Sequence, residues 1–190
     1  RVSFLITANN RIAIENLLSR SLQYVFSLSI PLTTILLFLS DEIIEVLAGN
    51  AFAPSALTLR IISFIPIING LSNVYGFQLL LPFNQEKRVL IAVAIGSVVC
   101  IALGIFLAPY LAQDGSAIAY LLADVAVTIT MMYHANSFVK LRYSLSYILK
   151  IAFSCLLFIP LIFSCRMLFD QALFVLVSSC ISCAILYMIM

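Results

Sequence analysis

NGLSNVYGFQLLLPFNQEKRVLIAVAIGSVVCIALGIFLAPYLAQDGSAIAYLLAD, residues Asn69 to Asp124, decides the fold. It holds the end of one long apolar segment, then a tight polar turn with Glu86, Lys87 and Arg88. A second apolar segment follows, stopped at Pro109, and a third opens at Gly115. A helix needs about 20 mostly apolar residues to cross a bilayer, and these pieces approach that length. Strands are improbable, because the runs are long and continuous and lack period-2 alternation. The stretch reads as membrane hairpins.

The remainder of the chain has the same character. Of 190 residues, 64% are hydrophobic and 9% charged, against about 45–50% and about 25% in soluble domains. A net charge of +2 is too small to indicate a nucleic-acid partner. About six stretches are long enough to span: Ser21 to Ser40, Ser55 to Phe83, Val89 to Ala108, Ser116 to Ala135, Tyr147 to Cys165 and Gln171 to Met190. The fold class is therefore an all-α, polytopic integral membrane protein. The chain begins at Arg1 with no signal-peptide pattern, and is expected to be a fragment of a longer frame. Cys100, Cys155, Cys165, Cys180 and Cys183 all fall in apolar segments, where they act as small hydrophobes. The Cys180–Cys183 pair lacks the second ligand pair of a zinc site. No metal site and no cofactor are expected.

Residues 1–20 mix Leu and Ile with Arg1, Arg11, Glu15 and Arg20. They read either as an amphipathic cytoplasmic segment at the interface or as a solvated connector. Pro31 interrupts the first span, so neighbouring helices or hydroxyls must take up its freed carbonyl, and Thr33 and Thr34 are close by. Gly49 reads as a helix stop and Pro54 as the first turn of the next helix. The second span carries Arg60, Pro66, Asn69, Gly70, Asn73, Gly76 and Gln78. At about 100° per residue, Asn69, Asn73 and Gly76 share one face. The asparagines serve either helix packing or a polar path. In the third span Ala92, Gly96, Cys100 and Gly104 form a ridge of small residues suited to close helix approach. The fourth carries Asp124, with Tyr120 and Thr128 four residues away on either side. An intramembrane carboxylate costs about 2.5–3.5 kcal/mol on insertion scales, so it should face protein or water. His134 is expected at the interface, and Pro160 interrupts the fifth span.

The order of these features, an Asn/Gly-rich half-helix, Gly76-Phe77-Gln78, Pro82, the basic turn, the FLAP run ending at Pro109, and Gly115 to Ala119, resembles the polysaccharide transporter (O-antigen flippase) family. That family belongs to the multidrug, oligosaccharidyl-lipid and polysaccharide exporter superfamily. The likeness extends upstream through Pro31 and LAGNAFAPSALTLRI, covering residues 1–137. It implies the C-terminal portion of a two-lobe exporter: residues 21–137 as four helices of the C-terminal lobe and 138–190 as two additional helices. It further implies translocation of lipid-linked (polyprenyl pyrophosphate) oligosaccharide or polysaccharide for surface polysaccharide synthesis. The implied partners are that substrate, membrane lipids, the N-terminal lobe, and a proton or sodium gradient. A substrate path through Arg60, Asn69, Asn73, Gln78, Asp124 and Thr128 is expected. Relatives carry asparagines near Cys100 and Gly104, and this sequence departs from them there.

Basic residues segregate when loops are assigned alternately. Arg1, Arg11, Arg20, Lys87, Arg88, Lys140, Arg142 and Lys150 fall on one side, Arg60 and Arg166 on the other. The positive-inside rule makes the first side, with both termini, cytoplasmic, and the resemblance implies a bacterial inner membrane. Asp41, Glu42, Glu45, Asp114 and Asp170 fall opposite. Two alternatives remain: a drug or cation antiporter of the same superfamily, resting on Asp124, and a structural membrane subunit. A membrane enzyme is disfavoured, because one histidine and one midspan carboxylate provide no converging catalytic set.

Overall fold

The structure is a computed structural model that describes residues 11–139, 145–168 and 171–189. Its elements are helices: α1 (Arg11–Phe38), α2 (Ser40–Ala48), a short 3-10 turn (Asn50–Phe52), α3 (Ser55–Ile62), α4 (Ile65–Ser72), a π-helix (Asn73–Leu80), α5 (Glu86–Ala135), α6 (Leu145–Leu156), α7 (Phe158–Leu168) and α8 (Ala172–Ile189). Among the described residues four helical stretches are long and apolar enough to cross a membrane: Ile12–Phe38, Ser55–Leu80, Glu86–Ala135 and Ser146–Leu168. A shorter apolar helix covers Ala172–Ile185.

A straight 50-residue α5 would reach about 75 Å, far beyond the bilayer core. It reverses at Ala112, whose φ of 46° and ψ of −119° are non-helical. Gly96 in the first limb lies against Ala123 and Val127 in the second, and Gly115 lies against the Leu107 carbonyl. The limbs are therefore an antiparallel hairpin, which brings the helical passes among the described residues to six. It is a multi-pass, all-α membrane protein.

The second pass is segmented. Ser63 and Phe64 separate α3 from α4, and Pro66 occupies the first turn of α4, where a missing N–H costs least. From Asn73 the backbone winds as a π-helix for eight residues. In the fifth pass the break falls at Leu157, between α6 and α7, three residues before the expected Pro160, whose ring crowds the preceding turn.

Pro31 leaves α1 unbroken to Phe38. The carbonyl that it frees, that of Ser27, accepts a hydrogen bond from the Tyr187 hydroxyl at 2.6 Å. A neighbouring helix thus takes up the freed carbonyl, and the nearby Thr33 and Thr34 do not. Thr34 instead bonds the Ile30 carbonyl at 2.9 Å, and the Thr33 hydroxyl is buried without a partner.

Two apolar clusters hold the passes together. One joins Ile14, Leu18 and Leu22 of α1 to Val74, Tyr75, Leu79 and Leu80 of the π-helix and to Ala92, Met131 and Ala135 of α5. Residues 11–20 thus share one helix with the first span, with Ile14 and Leu18 buried in protein and Ile12 exposed. Residues 1–10 lie outside the described residues. The second cluster joins Leu39 to Ile151, Cys155, Phe158, Ile162, Val175 and Cys183. It ties α6, α7 and α8 to the far end of α1.

Candidate substrate path

The six expected path residues sit on the second and fourth passes and take different partners. Arg60 lies at one end of the bundle. Its Nε donates to Ser40 Oγ at 2.8 Å, and its Nη2 pairs with the Asp41 carboxylate. Beside it, Arg166 of α7 grips Glu42 through Nε–Oε1 at 2.5 Å and Nη2–Oε2 at 2.9 Å, and also donates to the Phe38 carbonyl at 2.8 Å. Glu42 is buried, so this two-pronged pair satisfies a carboxylate that burial would otherwise penalise. Thr58 donates to Asp114 Oδ1 at 2.5 Å at the same end. Arg60 is thereby a member of an end network.

The opposite end carries the basic turn. Asn84 takes a positive φ of 56°, which closes the chain between the π-helix and α5. Phe83 meets Phe138 with ring centroids 5.4 Å apart, and the Arg88 guanidinium sits 4.8 Å from the Phe138 centroid. The Asp41 and Lys87 ends are the two groups that alternate loop assignment separates. Arg1, Lys140, Arg142 and Asp170 fall outside the described residues.

Between the ends, Thr128 bridges two passes. Its hydroxyl lies 2.8 Å from the Asp124 carbonyl and 3.4 Å from the Ile68 carbonyl. It therefore serves the backbone, not the Asp124 carboxylate. That carboxylate interacts with Tyr120 one turn before it, while its Oδ2 is buried without a hydrogen-bond partner. No guanidinium or ammonium pairs with it among the described residues. Asp124 is thus the carboxylate with an unpartnered buried oxygen among the described residues.

Asn69 and Asn73 are exposed on the outer surface of the second pass, and Gln78 is half-buried. Gly76 does not share their face. It is buried, and a Cβ there would come within 2.7 Å of the Met131 sulfur. The π-helix turns less per residue than an α-helix, so the 100° projection fails beyond Asn73. The small-residue ridge packs at Ala92 and Gly96 against the second limb, but at Gly104 open space surrounds the backbone.

Sequence reasoning missed the Glu42–Arg166 pair and the Tyr187–Ser27 bond. Loop alternation places Glu42 and Arg166 on one side, yet nothing in residue spacing specifies the partner. All five cysteines are free, and no group of metal-type side chains occurs among the described residues.

No family model matches the chain. Over 126 residues, 65% of the chain, it is 29% identical to an Escherichia coli (strain K12) protein named "Putative O-antigen transporter", of which it covers 30%. Its whole length superposes on a solved structure described as "Lipid II flippase MurJ, inward closed conformation", with a TM-score of 0.76, 19% identity and 41% of that chain covered. The chain therefore shares its fold with that structure, and its sequence is similar to that of the O-antigen transporter over two thirds of its length. The chain spans about a third of one relative and two fifths of the other.

Proposed function

We propose that this chain, flippase-like in fold and similar in sequence to an O-antigen transporter, is the C-terminal portion of an exporter of lipid-linked oligosaccharide. The substrate is a polyprenyl pyrophosphate-linked oligosaccharide or polysaccharide unit, moved across the cytoplasmic membrane for surface polysaccharide synthesis. Both chain ends face the cytoplasm of a bacterium, and the N-terminal lobe supplies the other half of the cavity. The observation that carries this reading is the O-antigen transporter match along two thirds of the chain.

Asn69, Asn73 and Gln78 fit a path for a hydrated sugar, because they stand on a segmented helix, the kind of element from which transporters build midplane sites. Exposed asparagines are costly against lipid, and a second lobe would shelter them. Asp124 fits a place where charge or a proton is taken up, since its free oxygen lies in a membrane-spanning limb. Arg60 is a weaker path residue than the sequence indicates, because Asp41 and Ser40 occupy it. A cation or drug antiporter of the same superfamily is the second reading, drawn from the unpartnered Asp124 oxygen alone.

The test is Asp124→Asn in the complete reading frame. Normal protein level with surface polysaccharide reduced about tenfold is expected, whereas unchanged export removes Asp124 from the mechanism. Efflux of cationic dyes without polysaccharide export would favour the antiporter.

A further inference from the structure

Helix α6 has two faces. Ile151 and Cys155, with Phe158 just beyond, are buried in the second apolar cluster. The outer face exposes Leu149 and Phe153 beside Lys150. Along it runs an open groove of about 630 Å³, lined among the described residues by Ser146, Leu149, Lys150, Phe153 and Ser154, a volume within the ~300–1,000 Å³ of ligand sites. Ser146, Lys150 and Ser154 recur every four residues, forming a polar ridge parallel to the apolar ridge of Leu149 and Phe153. The groove thus offers one cation and two hydroxyls along an apolar wall.

We propose that this groove binds an anionic phospholipid of the surrounding bilayer, with Lys150 holding the phosphodiester and Leu149 and Phe153 bearing on an acyl chain. Lys150 lies within the first turns of a membrane-spanning segment that begins at Ser146. Among the described residues no carboxylate pairs with it, and the ion pairs there gather around Asp41 and Glu42 at the other end of the bundle. An ammonium at that depth reaches the headgroup layer by extending its stem, and lipid phosphate is the counter-charge present there. The Ser154 hydroxyl donates to the Lys150 carbonyl at 2.9 Å, which leaves Ser146, without a partner among the described residues, as the donor to a phosphate oxygen. A lipid with net negative charge is favoured over a zwitterionic one, whose own ammonium offsets the attraction. The site does not depend on the proposed transport function.

The chain contains no tryptophan, so Phe153→Trp places a single fluorescent reporter in the groove. The 190-residue chain carrying it would be reconstituted in phosphatidylcholine vesicles containing brominated phosphatidylglycerol or, separately, brominated phosphatidylcholine. Half-maximal quenching is expected at a several-fold lower mole fraction of the brominated phosphatidylglycerol. Lys150→Gln should abolish that preference, Lys150→Arg should retain it, and Lys87→Gln should leave it intact. Equal quenching by both lipids, or a preference that survives Lys150→Gln, would overturn the proposal. So would a reporter quenched by neither lipid, which would mean that protein covers the groove.

Discussion

Tyr187 stands 160 residues from Ser27, yet it repairs the backbone fault that Pro31 creates. Hydrogen bonds within membrane bundles contribute about 0.6 kcal/mol on average and at most about 1.7. Tyr187→Phe should therefore lower stability by about 1 kcal/mol in detergent unfolding. In a Pro31→Ala background the effect should shrink, because the restored N–H of residue 31 satisfies the Ser27 carbonyl. Strictly additive effects of the two substitutions would refute the assignment. Glu42 makes a second test at this scale. Its carboxylate is buried while the Arg166 side chain is 38% exposed, so Glu42→Gln should cost less than the ~3–5 kcal/mol of breaking a fully buried pair, about 1–2 kcal/mol. The double variant Glu42→Gln, Arg166→Met should lose no more than Glu42→Gln alone, read from the same unfolding curves. Neither pairing is legible from sequence. A membrane helix restricts its polar partners to groups at the same depth, but depth alone leaves several candidates.

At the scale of elements, the α5 hairpin was readable because Pro109 and Gly115 bracket the reversal and the apolar runs on each side have bilayer length. The close approach of its limbs was half readable. Ala92, Gly96, Cys100 and Gly104 are equivalent in spacing, yet a Cβ at Gly96 would overlap the Val127 side chain and lie 3.3 Å from the Ala123 carbonyl, while Gly104 meets nothing within 4 Å. Gly96→Val should destabilise the protein by about 1–3 kcal/mol through overpacking. Gly104→Ala should be neutral or slightly stabilising, since it fills no occupied space and favours the helix. Proteolysis of membranes after mild heating would rank the two, and equal sensitivity would contradict the packing described. The π-helix was not legible. Asn73 to Leu80 satisfies an ordinary helical pattern, and its wider winding follows from packing Tyr75, Leu79 and Leu80 into the core beside Met131. That winding separates Gly76 from the asparagines.

For the whole molecule, composition and run length establish a six-pass helical bundle, and the pairing of Arg60 and Arg166 with Asp41 and Glu42 gathers one charge group at a single end. The substrate path was less legible, because residues that share a helix face need not share a cavity when their helix is segmented. From the eight-to-two division of basic residues in the sequence we propose that the Lys87 end is cytoplasmic. In intact spheroplasts an impermeant thiol reagent should then label a cysteine introduced at Gln113 and spare one at Gln85, and the opposite labelling would invert the topology. The central claim is that the complete protein moves lipid-linked oligosaccharide. Its most direct measurement is the leaflet distribution of those lipids after deletion of the gene in its own host. Accumulation of unexported lipid-linked units on the cytoplasmic leaflet, with surface polysaccharide lost and both reversed by the complete frame, is the expected result. Unchanged surface polysaccharide and no accumulation would contradict the account.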